Sequence, residues 1–451
     1  MPREALTQAR CESLFNQVAD AARALGVPEV EAIVAGGDHA LTRFANNTIH
    51  QNVAERDVNL SVRPVMDGRT ARASTNRLDR QGIRDVVEAA VALTRLTEPD
   101  AELLPLASAA TIPEVRRWYE ATARATPQER ALAVGEAIAA VEEKGQTAAG
   151  IYSTGGSIFA LMNTAGVTCW YAESMARFSI TAMAADSSGW AKQSACYHGD
   201  LQPLELAVRA ARKAERSRAP RVLPAGRYTV VLEPAAVLDL VGQMFGDFSA
   251  TALRDGRSFL NDRIGKKIFG ENITIQDDGC HPSQAGAPFD GEGVPRRRLT
   301  LVERGVVKDI AYCRQAAAVA GLEPTGHGFP LPNEYGEAPA NIVIAGGDSS
   351  LEEMLKSTER GILVTRLWYI REVDPYEKIF TGMTRDGTFL IEHGEVAGGV
   401  RNFRFNQSLL EMLSNVEALS RAVRVSGEES MDMVVPAMMV RNFNFTEVTR
   451  F

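Results

Sequence analysis

Side chains able to do chemistry concentrate between Leu232 and Arg304. Asp277-Asp278 precede Gly279, Cys280-His281 precede Pro282, Asp290 and Glu292 flank Gly291, and Arg296-Arg297-Arg298 lead into Leu299-Thr300-Leu301. Carboxylates in such groups can act as general acids, bases or cation ligands. A cysteine beside a histidine can supply a nucleophile. Consecutive arginines can hold a phosphate or a carboxylate terminus, because guanidinium groups grip such anions bidentately. Each group also has a plainer reading. Acids next to glycine are common turn formers. Neighbouring residues on a strand point to opposite faces, so Cys280 and His281 need not meet and alternate arginines face apart.

The common catalytic signatures do not occur. There is no G-x-x-x-x-G-K-[ST] phosphate loop, no G-x-G-x-x-G opening a helix and no H-E-x-x-H. Nor is there a G-x-S-x-G nucleophile elbow. The six histidines are dispersed, and none has a second histidine at helical spacing. The five cysteines are scattered and include no C-x-x-C pair, which fits a reducing compartment.

The elements that must position these groups follow from length and pattern. A chain of 451 residues exceeds one ordinary core, so two or three domains are expected. A net charge of -8 argues against direct nucleic-acid binding. The first ten residues carry no apolar signal core, and no window reaches the roughly 18 apolar residues of a membrane span, so the expected setting is cytoplasmic, without a membrane.

Apolar spacing predicts a helix over 5–25, strands at 30–34 (stopping at Gly36-Gly37), 41–53, 58–65 and 69–74, and a helix through Ile83–Leu93. Residues 98–126 read as a connection. Thr126-Pro127-Gln128-Glu129 is a capping box that opens a helix to about Lys144. Short strands follow at 148–153, 157–162, 167–171, 178–184 and 191–198, then a helix at 204–216. The repeated order of helix, strands, helix suggests a diverged duplication, 10–96 and 126–217. The resulting plan is α+β: an N-terminal domain over 1–217, a linker over 218–226 and a strand-rich C-terminal domain over 227–451. In that second domain a helix is expected at 235–248, strands at 273–276, 299–302, 306–312, 341–345, 361–367, 389–391 and 395–405, and helices at 351–356 and 407–423.

Several stretches together resemble one family. R-S-F-L-N-D-R-I-G (257–265), D-D-G (277–279), P-F-D-G-E-G-V-P (288–295) with its arginines, and T-G-H-G (325–328) resemble the TldD/PmbA family, also called modulator of DNA gyrase. R-F-A-N-N-T-I-H-Q-N (43–52), D-G-R-T-A-R-A-S-T-N-R-L-D (67–79), G-I-L-V-T-R-L-W (361–368) and F-L-I-E-H-G-E (389–395) extend the likeness over essentially the whole chain. The resemblance implies a two-domain protein that works as a dimer. TldD members resemble zinc metallopeptidases with an H-E-x-x-x-H helix and a late cysteine as third ligand; a glutamate there serves as general base. They act on extended peptides with a PmbA (TldE) partner that lacks the motif.

This sequence departs from the TldD pattern at the metal positions. Superposing the helix after Glu233-Pro234 on the motif puts Leu238 and Gln243 at the histidines and Asp239 at the glutamate. Leucine cannot ligate zinc and glutamine is a poor ligand. Residues 426–445 contain no cysteine. The resemblance therefore implies a TldE/PmbA-like subunit, silent alone, with no cofactor of its own and zinc only in a TldD-like partner. Arg257, Asp290, Glu292 and Arg297 are the candidates for a substrate cleft or interface. Two other readings are a homodimeric peptidase with a different site, such as Cys280, and a non-enzymatic binding protein linked to gyrase or a toxin–antitoxin system.

Overall fold

The structure, a computed structural model, describes residues 6–449. The expectation drawn from the first ten residues falls partly outside them. The fold is α+β, with three sheets.

The first sheet comes wholly from residues up to Ala195. Helix α1 (Gln8–Ala24) is followed by β1 (Val30–Ala45), β2 (Thr48–Met66), β3 (Arg69–Thr70), β4 (Ala73–Thr75) and α2 (Arg80–Leu96). A short α3 (Glu120–Ala123) lies in the connection, and α4 (Pro127–Glu142) opens on the expected capping box between Thr126 and Glu129. Strands β5 (Thr147–Asn163), β6 (Thr168–Met183) and β7 (Ser188–Ala195) and helix α5 (Pro203–Arg216) complete it. The strand order is β3-β2-β1-β5-β6-β7, with β4 also on β2.

One face of this sheet carries all four long helices. Leu60, Val62 and Met162 pack under α1 and α2, while Phe44, Tyr152 and Phe178 pack under α4 and α5. Between the two helix pairs the connection crosses the sheet, and Trp118 lies on Gly156, where an added Cβ would sit 2.5 Å from the ring. Gly156→Ala is therefore expected to cost about 1–3 kcal/mol by forcing the indole off the sheet. Denaturant unfolding measures this, and an unchanged midpoint would show that the ring lifts freely.

Several expected boundaries are corrected. The predicted stop at Gly36-Gly37 does not occur, since β1 runs straight through to Ala45. The strands expected at 148–153 and 157–162 are one strand, as are those at 167–171 and 178–184. The glycines are not breakers here. A Cβ at Gly37 would lie 2.3 Å from the Gly156 carbonyl oxygen, and one at Gly155 2.3 Å from that of Asp38, so glycine allows close backbone approach.

After α5, β8 (Gly226–Leu232) feeds α6 (Pro234–Val241), so a strand begins on the last residue of the expected linker. Then come β9 (Ile275–Asp277), β10 (Leu299–Glu303), β11 (Val306–Val307), β12 (Ile342–Ile344), β13 (Arg360–Asp374), β14 (Ile379–Glu392), β15 (Glu395–Gly399), β16 (Phe403–Ser408), β17 (Val416–Leu419), β18 (Val423–Val425), β19 (Met433–Val435) and β20 (Met438–Val448). They form two sheets, β11-β10-β9-β12-β19-β18 and β13-β8-β20-β16-β14-β15 with β17 beside β20. Pairing is mostly antiparallel; β8 with β13 and β12 with β19 are parallel. The helix expected over 407–423 is confined to Leu409–Ser414, where Ser408 caps it, and the chain then turns into β17. The strand expected over 395–405 breaks after Gly399 into β15 and β16.

The second face of the N-terminal sheet packs on the C-terminal part. Ile33, Leu161 and Tyr171 meet Phe289 at one end. At the other end Ser188 Oγ donates to Asp386 at 2.6 Å, and the Arg366 guanidinium lies between the Trp190 and Trp368 rings. Among the described residues no helix is long and apolar enough to cross a membrane.

Candidate functional site

Helix α6 is shorter than the sequence suggests. Pro234 starts it and Gly242 ends it, so Gln243 lies in the turn beyond rather than on the helix. Seven of the eight helical residues are buried, including the acidic Asp239. A loop over 426–430 closes against this end of the helix. An added Cβ at Gly242 would meet Ser430 Oγ at 1.9 Å, and one at Gly427 would lie 2.6 Å from Asp239 Oδ1 and 2.9 Å from Leu238 Cδ2. Only glycine on both sides lets helix and loop come this close.

The three positions that resemble a metal motif are all committed elsewhere. Leu238 is a fully buried hydrocarbon. Gln243 Nε2 donates to the carbonyl oxygens of Asp239 and Glu429, both at 3.1 Å. The Asp239 carboxylate accepts from Leu367 N at 3.2 Å and Glu428 N at 3.4 Å. Burial pushes this carboxyl up to about 7, against the pull of those backbone N–H groups and of Arg366. These residues do not fit a zinc ion, since one offers no donor and another spends its amide on backbone. Among the described residues no three His, Cys, Asp or Glu side chains converge on a possible metal position.

The other side of the 426–432 loop rests on the open face of the N-terminal sheet. Asp432 bonds Ser194 Oγ at 2.8 Å and Arg424 at 2.9 Å, and lies 3.5 Å from Arg177. Lys192 Nζ donates to the Gly427 carbonyl oxygen at 2.6 Å. Beside the loop a cavity of about 540 Å³ opens, walled by Arg43, His50, Ser153, Arg177, Lys192 and Glu428 among others. None of these was proposed from the sequence as a site residue, although Arg43 and His50 lie in the 43–52 stretch. The usable signal was alternation in β6, where Arg177 and Ser179 interleave with the core residues Phe178 and Ile180.

The four cleft candidates do not gather in one place. Asp290 and Glu292 are buried together in a loop. Asp290 accepts from the backbone N–H of Glu292, Val294 and Gly328, and Glu292 from that of Arg314. Burial raises both carboxyls, and with the Asp290 charge beside it Glu292 reaches about 7. Asp290 also borders a cavity of about 460 Å³ between the two parts of the chain. Arg257 is exposed and paired with Asp255 at 2.8 Å. Arg297 is exposed, neighbouring a strand, as its solvated reading predicts.

The remaining sequence candidates are tied into local hydrogen bonds. Asp277 and His327 are buried partners at 3.1 Å, and the imidazole bonds Thr325 Oγ1 on its other side. Cys280 is exposed in a turn made by Asp278, and the neighbouring His281 ring accepts from Ser283 N.

Comparison with known proteins gives a consistent picture. Residues 30–94, 121–218 and 225–447 match PmbA/TldA metallopeptidase domain 1, central domain and C-terminal domain, respectively. The chain is 28% identical over 284 residues to a metalloprotease of Methanothermobacter thermautotrophicus, covering 59% of this chain and 60% of that protein. It is 25% identical over 395 residues to metalloprotease PmbA of Escherichia coli O157:H7, covering 82% and 83%. The first match thus spans less than two thirds of its relative's length. In three dimensions the chain is similar to TldE from Thermococcus kodakarensis (TM-score 0.86, 20% identity, 96% of this chain and all of that one). It is also similar to a proposed modulator of a DNA gyrase from Thermotoga maritima (TM-score 0.85, 22% identity, 97% of this chain and all of that one). At these identities the likeness concerns the fold.

Proposed function

Because this chain belongs to the PmbA/TldD metallopeptidase family, we propose that it is the TldE/PmbA-like subunit of a peptide-degrading complex, with the metal and the cutting supplied by a TldD-like homologue. The observation that carries this reading is the closed end of α6. Leu238 lies under Gly427, and Asp239 is bound by backbone N–H groups of the covering loop. Opening the position to zinc would require displacing the loop and replacing a hydrocarbon by a ligand.

The subunit's contribution would be to shape the chamber and hold substrate in the cytoplasm. Strand-rich domains hold extended peptides by main-chain hydrogen bonds, which tolerate many sequences. Arg257 and Arg297, exposed and away from the buried groups, are proposed contacts to the partner. Asp290 and Glu292 are proposed to fix the loop that borders the inter-domain cavity.

Co-expression with a homologue carrying H-E-x-x-x-H tests this. The expected result is a stable complex that contains zinc and cleaves unfolded peptides, while this chain alone contains no stoichiometric zinc and cleaves nothing. Stoichiometric zinc with cleavage by this chain alone would instead establish a homodimeric peptidase. A complex that binds peptides but never cleaves them would favour a purely binding role.

A further inference from the structure

We propose that the cavity between the open face of the N-terminal sheet and the 426–432 loop binds a carboxylate-rich segment of an extended peptide. The inference rests on peptides being the ligands of this chain, and adds their charge. Three cations, Arg43, Arg177 and Lys192, line the cavity against one carboxylate, that of Glu428. Among the described residues no carboxylate lies within ion-pair distance of Arg43, whose Nη1 donates to the Gln51 amide oxygen at 3.4 Å. Arg43 is exposed, and a cation set against the protein surface attracts an anion more strongly than one in open water.

The chain's own loop shows what this face accepts. Glu428 reaches into the cavity, 3.2 Å from Lys192 and 3.5 Å from Ser179 Oγ, which donates to it. Farther along, Asp432 is held by Arg424, Ser194 and Arg177. Acidic side chains of a bent loop thus already dock on this face, and the part of the cavity around Arg43 is left over. A space of about 540 Å³ suits a few side chains of a peptide rather than a folded domain. In this arrangement Glu428 competes with the ligand for Lys192.

Fluorescence anisotropy on the full chain, with short labelled peptides of glutamate and of glutamine, tests the assignment. The glutamate peptide is expected to bind about tenfold more tightly or better, and to weaken as salt rises from about 50 to about 300 mM. Arg43→Glu should lose about tenfold in affinity for it, the scale of one charge-assisted contact. Glu428→Gln should gain a few-fold. Equal binding of the two peptides, or an Arg43→Glu chain that binds as before, overturns the proposal. So does a single-stranded DNA that outcompetes the glutamate peptide with the same dependence on Arg43, because the face would then serve nucleic acid. The measurement needs no second subunit. A chain that selects acidic peptides but pairs with no metal-bearing homologue contradicts the proposed complex and leaves this inference intact. A chain that pairs and supports cleavage without charge preference does the reverse.

Discussion

Asp239→Asn is expected to abolish about 2–3 kcal/mol of the stability that the chain gains when the pH is lowered from 8 to 5. The folded carboxyl keeps its proton up to about 7 because it is buried, whereas the unfolded group releases it near 3.8. Between these values the folded state binds more protons, so stability falls as the pH rises. Glu292, raised to about 7 by burial and by Asp290, adds to the same slope from its ordinary value of 4.5 upward. At lower pH the sign reverses. Burial alone would raise Glu31, Asp277 and Asp432, but the arginines beside Glu31 and Asp432 and the His327 hydrogen bond to Asp277 outweigh it and hold all three below the usual carboxylate range. Stability that depends on those charges is lost as the pH drops through their folded values. The reversal falls where the unfolded carboxyls titrate, so stability is greatest between about pH 4 and pH 5. Urea unfolding of both proteins from about pH 4 to pH 8 measures it, and parallel profiles would sink the assignment to Asp239.

Glu31→Ala is expected to destabilise the chain by about 3–5 kcal/mol, the usual scale for breaking a buried ion pair from one side. Glu31 on β1 is 1% exposed and accepts from Arg63 on β2 at 3.1 and 2.9 Å. Arg72 adds a third contact at 2.6 Å and carries the network across to the C-terminal part, where its Nε donates to the Leu331 carbonyl oxygen. Without the carboxylate, the two guanidinium groups lose the counter-ion they share. Replacing Glu31 by Gln should recover only part of the loss, since the amide NH2 cannot accept from a guanidinium, so at least one hydrogen bond is lost together with the charge. Calorimetry on the three proteins decides it: a Glu31→Ala midpoint within about a degree of the parent would show that the pair contributes nothing net.

Much of this architecture was legible in local chemistry. The capping box at Thr126-Glu129 started its helix where expected, because its two hydrogen bonds need only residues three apart. The hairpin at Asp67-Gly68 formed because both residues accept positive φ. The glycines at 36–37 and 155–156 misled for a definite reason. A glycine that ends a strand and one that lets two strands approach closely look alike until the neighbouring strand is known.

The site divides along the same line. By itself the sequence determined which groups are available for chemistry: a leucine where a ligand would stand, no cysteine after Cys313, and a loop of charges around Asp290. Those are matters of composition, and no fold can alter them. Only the tertiary structure decided that the end of α6 is covered by residues almost 190 positions later, that Asp290 and Glu292 are buried while Arg257 and Arg297 are solvated, and that Arg43, Arg177 and Lys192 share one cavity. The physical reason is range. Donor chemistry belongs to a single side chain, whereas burial, charge balance and a pKa depend on what long-range packing brings alongside it.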